Sequence, residues 1–253
     1  MSKSCFKVPT EYYLARRAYL ERELSKLPDL RKGVHEGRKV IRHYAKTKSG
    51  VACREISNRS SRWNDAEAIL NKRCKITDEL EKIKTILKNE YASGDYPEIN
   101  LMNMENQYGS EFFDSVEDCS CNVKKDKNYP YGGRIYRSRA EMGFAEILDK
   151  YGLEFKYDVV FNVDGQLISV DFLILFREFN RCAFIEYCGI CNKPSYSRHN
   201  DIKVTDARLA GIYQGRDLFI VDGDADYTPG ADMMEIIVVC IIGLFCKYHI
   251  GIG

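Results

Sequence analysis

LISVDFLILFREFNRCAFIEYCG, residues 167–189, decides the fold of this chain. It holds two apolar, β-prone runs, Leu167–Phe176 and Arg181–Cys188, separated by a short polar turn. Runs this apolar belong to strands covered on both faces. Yet one is interrupted by Asp171 and the other by Glu186. Strand alternation puts Asp171 on the side of Leu173 and Leu175, and Glu186 on the side of Phe184 and Cys188. A buried, ionised carboxylate is tolerated only when it is paired or bound to a cation.

Working outward, Glu154–Val163 reads as a further strand, joined to Leu167 through Asp164-Gly165, the signal of a type I′ hairpin. Before it, Ser138–Tyr151 reads as a helix closed by Gly152, with Glu141 on the apolar stripe of Ala145 and Leu148. Glu146 lies on the other side with Met142 and Lys150. Downstream, a helical stretch runs from Pro194 to about Ile212, Asp217–Val221 is a strand, and Asp232–Tyr248 is an apolar helix. The order α-β-β-β-α-β-α predicts a mixed α/β unit with a central sheet. The longest apolar run, Ile236–Phe245, is half the roughly 20 residues that a bilayer requires, so it reads as a buried helix and no membrane association is expected.

Two acids on neighbouring strands and a third on a covering helix can converge on one point. Clustered carboxylates repel until a cation neutralises them, and hard oxygen donors select Mg²⁺ or Mn²⁺. The chemistry that such a centre supports is phosphodiester hydrolysis, with a nearby lysine stabilising the charge that develops on phosphorus.

Glu141, then Asp171, then Glu186 15 residues later, resembles the pattern of the PD-(D/E)XK nuclease superfamily. More narrowly, RSRAE (137–141), VDFLI (170–174), IEYCG (185–189), PSY (194–196) and the stretch from Lys203 to Ile212 look like a group of bacterial nuclease-like proteins. The resemblance implies a restriction-endonuclease-like mixed sheet flanked by helices and an Mg²⁺- or Mn²⁺-dependent nuclease acting on DNA. Glu141, Asp171 and Glu186 would be its metal ligands, joined by the backbone carbonyl of Tyr187. The chain departs from the pattern at Val170, where the family has proline, and at Cys188, where it has lysine. The resemblance then implies a lysine migrated to the next helix, Lys203, with Lys193 in reserve. The alternative is a degenerate nuclease fold that holds DNA or a partner protein without cutting.

The first part of the chain differs in character. Residues 10–27 predict a helix stopped by Pro28, the glycine-marked segment that follows predicts a small antiparallel hairpin, and residues 63–92 predict one long charged helix. A second helical stretch is expected around 98–117, and the polar segment 118–133 is the expected boundary between a region 1–130 and a nuclease-like domain 131–253. The net charge of +1 hides an asymmetry: residues 1–75 carry 19 Lys+Arg against 8 Asp+Glu, and the remainder 19 against 29. Arg31, Lys32, Arg38, Lys39, Arg42, Lys46 and Lys48 are therefore candidate phosphate contacts, together with Arg137, Ser138 and Arg139 before Glu141. A solvated basic face and plain helix capping are the alternatives, and the long helix also admits a homodimer or protein partner.

Other chemistries find little support. The sequence contains no GxxxxGK[ST], GxGxxG or GxSxG motif. Its ten cysteines, with no apolar leader before them, are expected reduced in a cytoplasm. Cys188 and Cys191 have CxxC spacing and, with Cys119 and Cys121, admit a zinc site, against a reading as buried thiols. The four histidines are scattered.

Overall fold

The computed structural model describes residues 7–101, 107–120, 128–188, 194–222 and 230–251, with the backbone alone at 100–101, 194–200 and 251. The chain is a mixed α/β protein. It divides into two compact units, one of residues 13–99 and one that joins 1–12 to 100–253.

In the 13–99 unit, α1 (Thr10–Lys26, entering at Tyr13) is followed by β1 (Asp29–His35), β2 (Arg38–Thr47), β3 (Gly50–Ser57) and α2 (Trp63–Lys88). The three strands form an antiparallel sheet in the order β1-β2-β3. The sequence predicts only the β2–β3 hairpin. DLRKGVH has too few apolar residues to read as a strand, and it pairs with β2 through its backbone, from Asp29 opposite Tyr44 to His35 opposite Arg38. Glu36-Gly37 makes the connecting turn with φ of 48° and 76°, the left-handed geometry of a two-residue hairpin. Ala66 and Leu70 of α2 pack on Leu30 and Ile41 of the sheet. Further along α2, Ile76, Leu80, Ile83 and Leu87 pack on Leu14 and Leu20 of α1. Both faces follow from apolar residues at helical spacing.

The other unit continues with β4 (Asn100–Leu101), α3 (Ser110–Ser115), β5 (Tyr129–Tyr131), β6 (Arg134–Tyr136), α4 (Arg139–Lys150), β7 (Glu154–Val163) and β8 (Gln166–Phe176). After a 3-10 turn at Arg177–Phe179 come β9 (Arg181–Cys188), α5 (Pro194–Leu209), β10 (Leu218–Asp222), α6 (Ala231–His249) and β11 (Ile250–Gly251). The central sheet has the order β10-β9-β8-β7, antiparallel except that β10 runs parallel to β9. From α4 onward the order is the α-β-β-β-α-β-α read from the sequence. Asp164 and Gly165 turn the β7–β8 hairpin with φ of 50° and 89°. On one side Phe144 of α4 lies 5.2 Å from Phe172, and Phe245 of α6 stacks on Phe176 at 4.4 Å. On the other, Tyr108, Phe113, Val116, Ala207 and Ile212 share a core with Val159, Leu173 and Phe184. Among the described residues no helix is long and apolar enough to cross a membrane.

Two expectations are corrected. The helical stretch at 98–117 is reduced to the six residues of α3 and the short β4, which pairs with β11; residues 102–106 lie outside the described residues. The boundary falls at Ile99/Asn100 rather than within 118–133. The reason is packing: Tyr108 accepts a bond from the Cys182 amide, and Lys156 donates to the carbonyls of Phe113 and Val116 at the end of α3. Asn180 accepts from the amide and hydroxyl of Ser110. A Cβ at Gly109 would lie 2.8 Å from Asn180 Oδ1, so this approach needs glycine. The polar segment opens on Asp118, which takes the Tyr157 amide at 2.9 Å and Arg134 at 2.8 Å, so this acid serves the sheet; residues 121–127 of the segment lie outside the described residues.

Candidate functional site

Ser138 caps α4 by accepting the Glu141 amide at 3.1 Å, which sets Glu141 in the first turn, 7% exposed. Its Oε2 accepts the Tyr157 hydroxyl at 2.5 Å and the Arg137 amide at 3.2 Å. Burial, and then the bond to Glu141, raise the pKa of Tyr157 and keep it a donor.

Asp171 sits where the sheet breaks its alternation. Val170 and Leu173, three residues apart, belong to one core, whereas Phe172 packs with Tyr136, Phe144 and Tyr157. The opposing strand bends at the same level: Asp158, between the pairs Tyr157–Phe172 and Val159–Val170, takes φ +56°. That conformation is uncommon for any residue but glycine, and asparagine and aspartate tolerate it best. The expectation that Asp171 simply shares a side with Leu173 and Leu175 is corrected by this break. Asp171 contacts the Arg137 guanidinium and accepts the Tyr187 amide at 2.7 Å. It thereby touches both the approach to α4 and the neighbouring strand β9.

Glu186 lines a small cavity with Lys203, Ile202, Val170 and Ile220, and Lys203 of α5 contacts its Oε1. Arg137 lies 3.5 Å from Asp158 and 3.9 Å from Glu141 as well. Among the described residues, four buried carboxylates, at 141, 158, 171 and 186, thus meet two cations, Arg137 and Lys203. Burial, and then the charge of Glu186, push the Asp171 pKa up to about 7; Arg137 opposes the shift and Glu141 adds to it. Burial works against the Arg137 cation, but Asp171, Glu141 and Asp158 outweigh it and raise its pKa.

The four residues Glu141, Asp171, Glu186 and Lys203 are therefore within one interacting cluster. Asp158 was not singled out by sequence, although it interrupts the apolar FKYDVVF as Asp171 interrupts its own strand. Tyr157 carried no comparable signal. The pairing of Glu141 with Arg137, an alternative to a metal site, is present at 3.9 Å. Cys188 is buried at the end of β9. Cys191, Cys121 and Lys193 lie outside the described residues, as does the side chain of His199, while Cys119 is exposed.

The donor set suits a hard divalent cation chemically, because it is all oxygen and its members still repel one another with Arg137 in contact. In this conformation, however, no group of three His, Cys, Asp or Glu among the described residues is arranged to hold a metal ion. Of the basic candidates, Arg31 pairs with Asp29 and lies over the Tyr44 ring, and Arg42 pairs with Glu55. Lys32, Arg38, Lys39, Lys46 and Lys48 are exposed, Arg137 belongs to the acidic cluster, and Ser138 is occupied as a cap. No protein-family model, curated protein or solved structure matches the chain.

Proposed function

We propose that the 100–253 unit is a metal-dependent nuclease of the PD-(D/E)XK type that hydrolyses phosphodiester bonds of DNA. One observation carries this reading: Asp171 is held far above the ordinary carboxylate range by burial and by the charges of Glu186 and Glu141, despite its contact with Arg137. Such mutual repulsion is the state that a divalent cation relieves. The order of elements supports it too, with acids on the first helix and on the second and third strands, and a lysine on the helix that follows.

Glu141, Asp171 and Glu186 would hold the ion, with the Tyr187 carbonyl as a further donor. When bound, Mg²⁺ or Mn²⁺ supplies polarisation of the phosphoryl oxygen and a water acidic enough to attack near neutral pH. The chain's own groups do the rest. Tyr157 and the Tyr187 amide orient one oxygen each of Glu141 and Asp171. Lys203, held beside Glu186, stabilises the charge developing on phosphorus. Arg139, next to the cap, reaches the strand's phosphates. Arg137 holds Asp171 in the absence of the ion and is the group that must yield to it.

That same Arg137 contact favours a second reading, a degenerate nuclease fold that binds DNA without cutting, and so does Cys188 at the motif lysine's position. Incubation of supercoiled plasmid with the protein and Mg²⁺ or Mn²⁺ separates the two. Cleavage should be lost in Asp171→Ala and Glu186→Ala, and Lys203→Ala should lower it by about 10²–10³-fold while calorimetry still records divalent binding. Cleavage that persists in both acid variants overturns the assignment. DNA binding without any cleavage or divalent uptake selects the degenerate fold.

A further inference from the structure

In the 13–99 unit, the β1–β2 turn, β3 and the start of α2 enclose a pocket of about 470 Å³, large enough for a nucleotide-sized group. Arg38, His43, Arg54, Ser60 and Arg62 line it. The other arginines of this unit that contact a neighbour show how the fold usually treats the residue. Arg16 pairs with Glu79, Arg17 with Glu21, Arg31 with Asp29 and Arg42 with Glu55, while Arg73 donates to the carbonyls of Leu24 and Leu27. Arg38, Arg54 and Arg62 instead make no side-chain hydrogen bond, ion pair or ring contact among the described residues. The pocket's Glu55 is already taken by Arg42 at 2.9 Å and His35 at 2.5 Å. Two acids also line the pocket, Glu36 and Glu55; with Glu55 paired elsewhere, Arg38, Arg54 and Arg62 face Glu36 alone, and the concave surface keeps an excess of positive charge. The start of α2, directly after Arg62 and without a side-chain cap, adds potential of the same sign.

We propose that this pocket binds a phosphate group of a nucleic-acid strand, with Arg38, Arg54 and Arg62 as its donors. Guanidinium forks match the paired oxygens of a phosphate, and the exposed Lys39, Lys46 and Lys48 of the same hairpin extend the positive track along which a polyanion lies. The site deepens the DNA reading above by separating phosphate capture from the acidic centre, and it replaces the paired Arg31 and Arg42 as phosphate contacts.

The test uses the full chain and two probes, a fluorescein-labelled oligothymidylate followed by anisotropy and inorganic phosphate followed by the fluorescence of Trp63, the sole tryptophan and the first residue of α2. Arg54→Ala with Arg62→Ala should weaken oligonucleotide binding by about tenfold per arginine and flatten its dependence on log salt by about 0.7 per arginine. Circular dichroism checks that this double variant folds. Arg54→Lys with Arg62→Lys keeps the charge and should retain the salt slope while losing part of the affinity. The anisotropy is read without added divalent cation, where no cleavage is expected, so failure of the nuclease reading on which this site rests and failure of the site itself are distinguishable. Unchanged affinity and slope in the double alanine variant overturn the proposal. So does a Trp63 response to inorganic phosphate without any binding of the oligonucleotide, which would make free phosphate the ligand.

Discussion

At the start of β9, Arg181 lies 3.5 Å from Asp217 and Arg216 lies 2.6 Å from it, with Glu178 buried in the preceding turn. Five residues along the same strand, Glu186 meets Lys203 and its charge reaches Asp171. Both clusters are buried, but the first gives its acid two cations, whereas the second gathers carboxylates that still repel. The first is what an ion pair kept for structure looks like. The first also carries a cost, since burial lowers the Arg181 pKa although Asp217 opposes it, but the second sets several carboxylates against one another, and such costs concentrate at sites selected for binding or catalysis.

The sharpest way to break this contrast is to remove one acid from each cluster. Asp217→Ala takes from buried Arg181 the carboxylate 3.5 Å away and should destabilise the protein by about 3–5 kcal/mol, read from urea denaturation. Asp171→Asn removes a charge that its surroundings disfavour, so it should not destabilise the metal-free protein near pH 8 and should raise its thermal midpoint by a few degrees. If the two variants lose equal stability, the clusters are alike and the acidic one is structural.

The same variant carries a pH signature. The Asp171 pKa is raised in the fold, so its contribution to stability is complete below the ordinary carboxylate value and is lost as pH rises through about 7. Thermal melts of the metal-free chain should therefore fall between about pH 4 and about pH 7, and Asp171→Asn should flatten that fall. An unchanged slope would remove the electrostatic argument for the site.

The smallest effect belongs to the other end. His249 stacks on Phe245 at 5.4 Å, with Phe179 at its edge and Arg181, Arg216 and Asp217 acting on it. Burial, and then Arg181, lower its pKa to about 4. Its contribution is present above about pH 6.5 and is lost as pH falls toward about 4. His249→Phe keeps the aromatic packing and should flatten this acid limb alone, leaving the fall at higher pH in place.

Much of the sheet unit was legible in the residues. Glu154–Val163 and Arg181–Cys188 were read with the bounds that the strands have, because apolar β-branched and aromatic runs ended by turn residues carry their own limits. Ser138 as a cap and the exposure of Glu146 follow from helical spacing. By contrast β1 was missed, since a strand held by backbone pairing leaves little mark in its side chains. The extent of α3 and the boundary at Ile99/Asn100 depend on what Tyr108 and Phe113 pack against, a fact that no local pattern records.

The sequence by itself determined which residues could carry charge into the core: Glu141, Asp171 and Glu186 stand out because acids in apolar runs need partners. It also placed Lys203 on the following helix. Only the tertiary structure decided who the partners are. The bend at Asp158 breaks the alternation beside Asp171, and Arg137 then reaches Asp171, Glu141 and Asp158 from a position 34 residues before Asp171. Likewise ten basic residues between Arg31 and Arg62 are one undivided charge in the sequence. Folding pairs some and leaves Arg38, Arg54 and Arg62 around one pocket. Composition sets how much charge a chain carries, whereas distance sets what each charge meets, and distance is a property of the fold.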